Sequence, residues 1–249
     1  VESNTMISRR LQRFGEFGST CYSSSSSRDP SLKYDFLPAE AKDKKVIMDV
    51  ALNHFIFTAP HCVALGITRN SVKELIDSVV SKSLHDPYCY TIIYKESGET
   101  IGFRLMSVAH RDKSKDFEPF ELDIRKCEEN VQILASIVST LKEQIWDLRP
   151  EANKILRREV TFVRRDHQRR GIAQHLLHLG LDLDRLRTDG FDGVQSEATS
   201  IANQTLLAKN GYRMMASAPR KSYIRQDGQP IKFPDATKCA QLYYLSLRK

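Results

Sequence analysis

Long apolar runs are missing from this sequence. None approaches the roughly 18 residues that a bilayer-spanning helix needs, so no membrane partner is expected. Cysteine is scarce and unpatterned. The five residues Cys21, Cys62, Cys89, Cys127 and Cys239 are odd in number and include no Cys-x-x-Cys, which argues against a disulfide framework or a zinc site and for a reducing compartment. Two glycine motifs are also absent: the Gly-Lys-Ser/Thr of a nucleoside-triphosphate loop and the three-glycine fingerprint of a dinucleotide fold. Positive charge is in surplus, at a formal +7, but only residues 164–170 are densely basic. Without zinc spacings or aromatic RNA-binding motifs, that surplus does not imply a nucleic-acid partner.

What is present is organised around Glu159–Leu177. Residues 159–163 alternate and branch like a buried strand, and from Ile172 onward apolar residues recur at helical spacing, so the chain turns at Gln168–Ala173. A strand, a basic glycine-containing loop and a helix start form an anion site by construction. The first helical N–H groups lack partners and carry partial positive charge. Gly171 lets the backbone approach a ligand, and Arg164, Arg165, Arg169 and Arg170 add guanidinium groups around it.

Residues 1–30, with Arg9, Arg10, Arg13, Arg28 and the run Ser23–Ser27, bury too little to order themselves and read as a disordered tail. From Met6 the tail is Arg- and Ser-rich and nearly acid-free, as mitochondrial transit peptides are, so the expected location is cytoplasmic, or mitochondrial if the tail is a targeting segment. The remainder, 31–249, is expected to form one domain. Its order is a strand at 34–37, a helix opened by Pro38 and running to Pro60, and a second helix capped by Ser71–Glu74. A hairpin of 88–94 and 100–108 follows, then a long helix over 127–146, the central strand and loop, and a helix toward Gly190. A strand at 191–197, a helix at 200–209 ended by Gly211, and strands at 212–224 and 239–247 close the chain. His54 reads as a packed core histidine, and His175 and His178 lack the third ligand that a metal site requires.

Gln168-Arg169-Arg170-Gly171-Ile172-Ala173 resembles the acetyl-CoA signature Gln/Arg-x-x-Gly-x-Gly/Ala of the GNAT superfamily of N-acetyltransferases. The element order over about 33–249, and Ser196–Ser200 through Asn210-Gly211-Tyr212, resemble that family as well. Within it, Phe55-Ile56-Phe57-Thr58-Ala59-Pro60 and the long helix before the central strand look most like the invertebrate arylalkylamine (dopamine-type) enzymes. The resemblance implies an α/β fold with a mixed, twisted sheet that splays at its central strand. It also implies acetyl-CoA as cosubstrate, held by Gln168, Arg169, Arg170, Gly171, Ile172 and Ala173, with Asn203 as a further contact and the Val163 N–H as oxyanion donor. The partner implied is a small primary amine, in the arylalkylamine class. Acetylation of a protein or polyamine, or a CoA-binding module with little turnover, stand as alternatives.

Two departures bear on mechanism. The acidic residue that commonly precedes the first-helix proline is Ala59 here, and Leu207 occupies the place of the later helix's tyrosine acid. Glu159 and Glu197 are the candidates for a replacement base, unless each is an ion-pair partner of the many arginines; His61 is a weaker third. Ser200 is either a helix cap or a hydroxyl proton relay.

Overall fold

The computed structural model describes residues 29–120, 122–225 and 227–248; of the tail expected at 1–30, residues 1–28 lie outside them, and Asp29 and Pro30 belong to an ordered turn, Asp29 capping the 3-10 helix that Pro30 opens. Seven strands form one sheet: β1 (Tyr34–Pro38), β2 (Tyr90–Tyr94), β3 (Thr100–His110), β4 (Lys154–Val163), β5 (Gly193–Ala198), β6 (Arg213–Ser217) and β7 (Gln241–Ser246). Their order is β1-β2-β3-β4-β5-β7-β6, and every neighbouring pair is antiparallel except β4–β5. The mixed α/β sheet expected from the element order is the one found.

Helices cover both faces. On one lie α1 (Lys44–Val50), α2 (Pro60–Leu65), α3 (Arg69–Ser83) and α4 (Glu129–Leu148), whose Ile47, Val72, Ile76, Leu141 and Ile145 pack on Phe103, Leu105 and Ile155. On the other lie α5 (Ile172–His178), α6 (Leu183–Thr188) and α7 (Ile201–Lys209), with Leu177, Leu186 and Leu207 against Met106, Leu156 and Val194. The alternation Leu105/Met106 and Ile155/Leu156 divides the strands between the two cores, as period-2 side-chain placement requires.

Several boundaries differ from expectation. Pro38 ends β1 instead of opening a helix, and the first helical stretch is broken into α1 and a π-helical turn at Ala51–Phe55. The helix predicted to be capped at Ser71 starts earlier. Thr68 Oγ1 accepts from Ser71 N–H while Ser71 Oγ accepts from Thr68 N–H, so this pair closes the capping box that Ser71–Glu74 was expected to make. The helix after the basic loop stops at His178, because Gly180 takes φ +64 and a Cβ there would lie 2.3 Å from the Tyr90 hydroxyl. Asp182 then caps α6. The strand expected over 212–224 ends at Ser217.

Candidate active site

The site begins where the sheet comes apart. β4 and β5 pair from Ile155–Gly193 to Arg158–Ser196 and no further, whereas β4 stays on β3 up to Val163–Gly102 and β5 stays on β7 up to Ala198–Gln241. A bulge sits at the parting: Leu105 pairs with Val160 and Met106 with Arg158, leaving Glu159 as the extra residue on β4. Such a bulge adds twist and bends its strand, which turns β4 away from β5. Arg164 N–H donates to Ile101 C=O at 2.7 Å, so the antiparallel alternation points the N–H and C=O of Val163 away from β3, toward the gap. Val163 C=O accepts from Gln168 Nε2 at 2.8 Å on that side.

At the far end of β4 the loop is held by its own side chains. Arg164 makes two bonds to the Asp166 carboxylate, at 2.8 and 2.9 Å, and a third to His167 Nε2. His167 is buried, which lowers its pKa, and its Nδ1 lies 3.0 Å from the Tyr34 hydroxyl. Arg170 donates to that same hydroxyl at 3.1 Å and to Asp166 C=O at 3.0 Å. The sequence placed four arginines around an anion; the structure gives Arg164 and Arg170 to the loop's own framework and leaves Arg165 and Arg169 exposed at its rim. Arg169 has φ 62 and Gly171 φ 80, two left-handed positions that turn the loop sharply into the start of α5. Ile172 is buried among Tyr34, Ile101, Val163 and Leu176, anchoring the loop to the sheet, and Ala173 is half-buried behind it.

Helix α5 has seven residues, too few for stability of its own, and its C-terminal end is secured by side chains that the sequence did not single out. Arg104, fully buried on β3, donates to Leu176 C=O at 2.6 Å, Leu179 C=O at 2.7 Å and Tyr88 C=O at 2.9 Å. Arg158 donates to Leu177 C=O and, at 3.1 Å, to the Tyr212 hydroxyl. With Leu179 N–H on His175 C=O and Leu181 N–H on His178 C=O, each carbonyl of the last turn has a donor. Burial, reinforced by the charge of Arg158, lowers Arg104 to about 10, still cationic at neutral pH. The available signal was an arginine at an inward-facing position of an otherwise apolar strand.

The two candidate carboxylates are the first residues beyond the last β4–β5 pair, one on each side of the gap. Glu159 accepts from Ser107 Oγ at 2.7 Å and is paired with Lys142 of α4. Burial pushes its carboxyl up, but the charges of Lys142 and Arg157 and the Ser107 hydroxyl outweigh it and hold the group at about 2. Glu197 is buried on the same face, where its Oε1 accepts from Gln195 Nε2 at 2.6 Å. Burial raises it to about 7, aided by the charge of Glu159 and opposed by Lys142 and Arg157. Glu159 is therefore held ionised at neutral pH while burial pushes Glu197 up toward neutrality, an arrangement that would separate an electrostatic role from a proton-accepting one.

The remaining candidates are placed as follows. Ser200 is the N-cap of α7, its hydroxyl accepting from Asn203 N–H at 3.3 Å, and Asn203 is half-buried in the first turn. His61 is buried; its Nδ1 lies 2.8 Å from Thr199 C=O and its Nε2 3.3 Å from the Tyr223 hydroxyl. Donation from Nδ1 to the carbonyl leaves Nε2 to accept from Tyr223, and burial lowers the ring to about 4; Nδ1 thus joins α2 to the start of α7 and Nε2 joins it to the turn that carries Tyr223. Ala59 is the buried N-cap of α2 and Leu207 is fully buried in the core. His175 packs against Phe36 with tilted rings, centroids 4.4 Å apart, while His178 contacts Gln174 and Asn210. On the α1–α4 face beside the splayed part of β4, half-buried Phe55 from the π-helical turn meets Phe162 edge-on, centroids 5.8 Å apart.

Solved structures share this architecture. Arylalkylamine N-acetyltransferase 2 from Aedes aegypti superposes with a TM-score of 0.70 at 15% identity, covering 86% of this chain and 99% of that one. The polyamine N-acetyltransferase of Drosophila melanogaster, which catalyses formation of N-acetylagmatine, gives 0.66 at 14%, again over 86% and 99%. The C-terminal condensation domain of Ebony, solved with β-alanyl-dopamine, gives 0.64 at 18% over the same shares. No family model and no curated protein sequence matches the chain. The likeness is one of fold: the seven-stranded mixed sheet is shared with these arylalkylamine and polyamine N-acetyltransferase structures.

Proposed function

We propose that this chain is an acetyl-CoA-dependent N-acetyltransferase acting on a small primary amine, in the arylalkylamine class, by direct attack of the amine on the thioester. The observation that carries the reading is the parting of β4 from β5 at Arg158–Ser196, with the basic, left-handed loop at one end of the gap and buried Glu197 at the other. The backbone of 168–173 and exposed Arg165 and Arg169 suit the CoA pyrophosphate, and Asn203 lies one turn into α7 as a further contact. Acetyl-CoA supplies an activated acyl group; the chain supplies placement, an oxyanion donor and a proton acceptor.

The Val163 N–H, turned into the gap, is the donor for the developing oxyanion. A primary amine with a pKa near 10 is about one part in a thousand neutral at pH 7, a penalty of roughly 4 kcal/mol. Ionised Glu197 takes the proton that the amine must lose as the C–N bond forms and the C–S bond breaks, and the departing thiolate takes a proton from solvent, to which Glu197 later returns its own. Glu159, held ionised, is the weaker base of the two; its charge keeps Glu197 ready to accept a proton. Phe55 and Phe162 offer aromatic surface on the face where the acceptor would enter.

A second reading, a CoA-binding protein with little turnover, is favoured by Ala59 and buried Leu207 at the two positions where the family places acid–base side chains. Thermal denaturation with excess CoA tests what the two readings share, and an unshifted transition would sink both. A thiol-release screen over tyramine, dopamine, serotonin, agmatine, spermidine and a lysine peptide then separates them. Release with the aromatic amines is expected; CoA binding without release on any amine establishes the second reading.

A further inference from the structure

Gln195 is fully buried on β5, paired with Arg157 on β4 and Tyr244 on β7, and none of the readings above uses its side chain. Every polar atom of its amide is engaged. Nε2 donates to Glu197 Oε1 at 2.6 Å and to Lys142 C=O on α4 at 3.1 Å, while Oε1 accepts from Arg157 Nε at 3.4 Å. Rotating the amide by a half-turn would set its oxygen against a carbonyl and a carboxylate, so the network admits one orientation. Arg157 is itself fixed, by Glu143 at 3.4 Å and by its guanidinium over the Trp146 ring at 5.8 Å.

We infer that Gln195 is the positioning residue for Glu197: it ties one carboxyl oxygen to the backbone of α4 and leaves the other to face the gap between β4 and β5. This rests on the proposed acyl transfer. The choice of an amide matters. Glu159 receives an ammonium and a hydroxyl and is locked in its ionised form, whereas Glu197 receives a neutral donor that orients it while leaving it free to gain and lose a proton. The charged groups facing Glu197 are Lys142 from α4 and Glu159 and Arg157 from β4, and its partner on β7 is apolar Leu242.

The test compares Gln195→Met, similar in length without the donor, with near-isosteric Gln195→Glu. Both should lower kcat by about 10- to 100-fold with KM for acetyl-CoA little changed. Both should also move the acidic limb of the kcat/KM profile upward, by about one pH unit for Gln195→Met and further for Gln195→Glu, where a second carboxyl adjoins the first. Carboxyl 13C NMR titration of Glu197 gives the same comparison without turnover, so it remains decisive if the chain proves to bind CoA and transfer nothing. An unchanged Glu197 titration in a folded variant would overturn the inference, as would a fall in kcat that only tracks lost thermal stability. If Gln195→Met does not fold, Gln195→Glu supplies both readouts.

Discussion

The two ends of the β4–β5 gap are built from different materials. At the loop end, the side chains of Gln168, Arg164 and Arg170 turn inward to hold the backbone in place, so the proposed CoA site rests on main-chain N–H groups with exposed Arg165 and Arg169 at its rim. At the other end, Glu159 and Glu197 are offered as side chains, and what each can do is set by partners from β3, β4, β5 and α4. A site made of main chain needs a local conformation, which a short stretch of sequence can specify. A site made of tuned side chains needs an environment, which only the assembled fold supplies.

The sharpest test of that contrast is Glu197→Gln. It should lower kcat/KM by about 10²- to 10⁴-fold and abolish the limb near pH 7, with CoA-induced thermal stabilisation unchanged. A retained limb would assign the proton elsewhere. Lys142→Met leaves Glu159 as an unpaired buried charge and should destabilise the fold by about 3 kcal/mol at pH 7, less in acid where Glu159 takes up a proton; denaturant titration at two pH values checks this. Because Glu197 is raised in the folded state, the stability it contributes is full below pH 4.5 and is lost as pH rises through about 7, a fall of about 3 kcal/mol that should vanish in Glu197→Gln. Glu159, depressed to about 2, has the opposite sign, its contribution being present above pH 4.5 and lost toward pH 2. At the loop end, Gly171→Ala places a Cβ at φ 80 and should cost roughly 1–2 kcal/mol, with weaker CoA binding and an unmoved pH limb. A shifted limb in that variant would show the two ends to be coupled.

How far the sequence could be read follows the same division. The strand, the basic loop and the helix start over 159–177 were legible because strand periodicity, glycine and clustered arginine are local signals. The left-handed turn at Arg169 was not, since arginine carries no preference for it; the bonds of Arg170 and Gln168 on either side overdetermine it. The break at Gly180 depends on Tyr90, which arrives from another strand. Glu159 and Glu197 could be nominated together but not told apart: both are strand glutamates, and what distinguishes them is an ammonium from α4 on one and an amide from β5 on the other. Arg104 and Arg158 were not singled out at all, although each is committed to a helix end.

That commitment determines when the loop's order is established. Because two guanidinium groups rooted in β3 and β4 grip the carbonyls of α5, the short helix cannot slide along its axis or unwind from its C-terminal turn without stranding buried cations. The amides at its other end therefore stay at a set height above the gap in the free protein. If the loop takes the CoA pyrophosphate as proposed, that anion would meet a receptor shaped during folding, with little conformational entropy left to lose at the moment of capture.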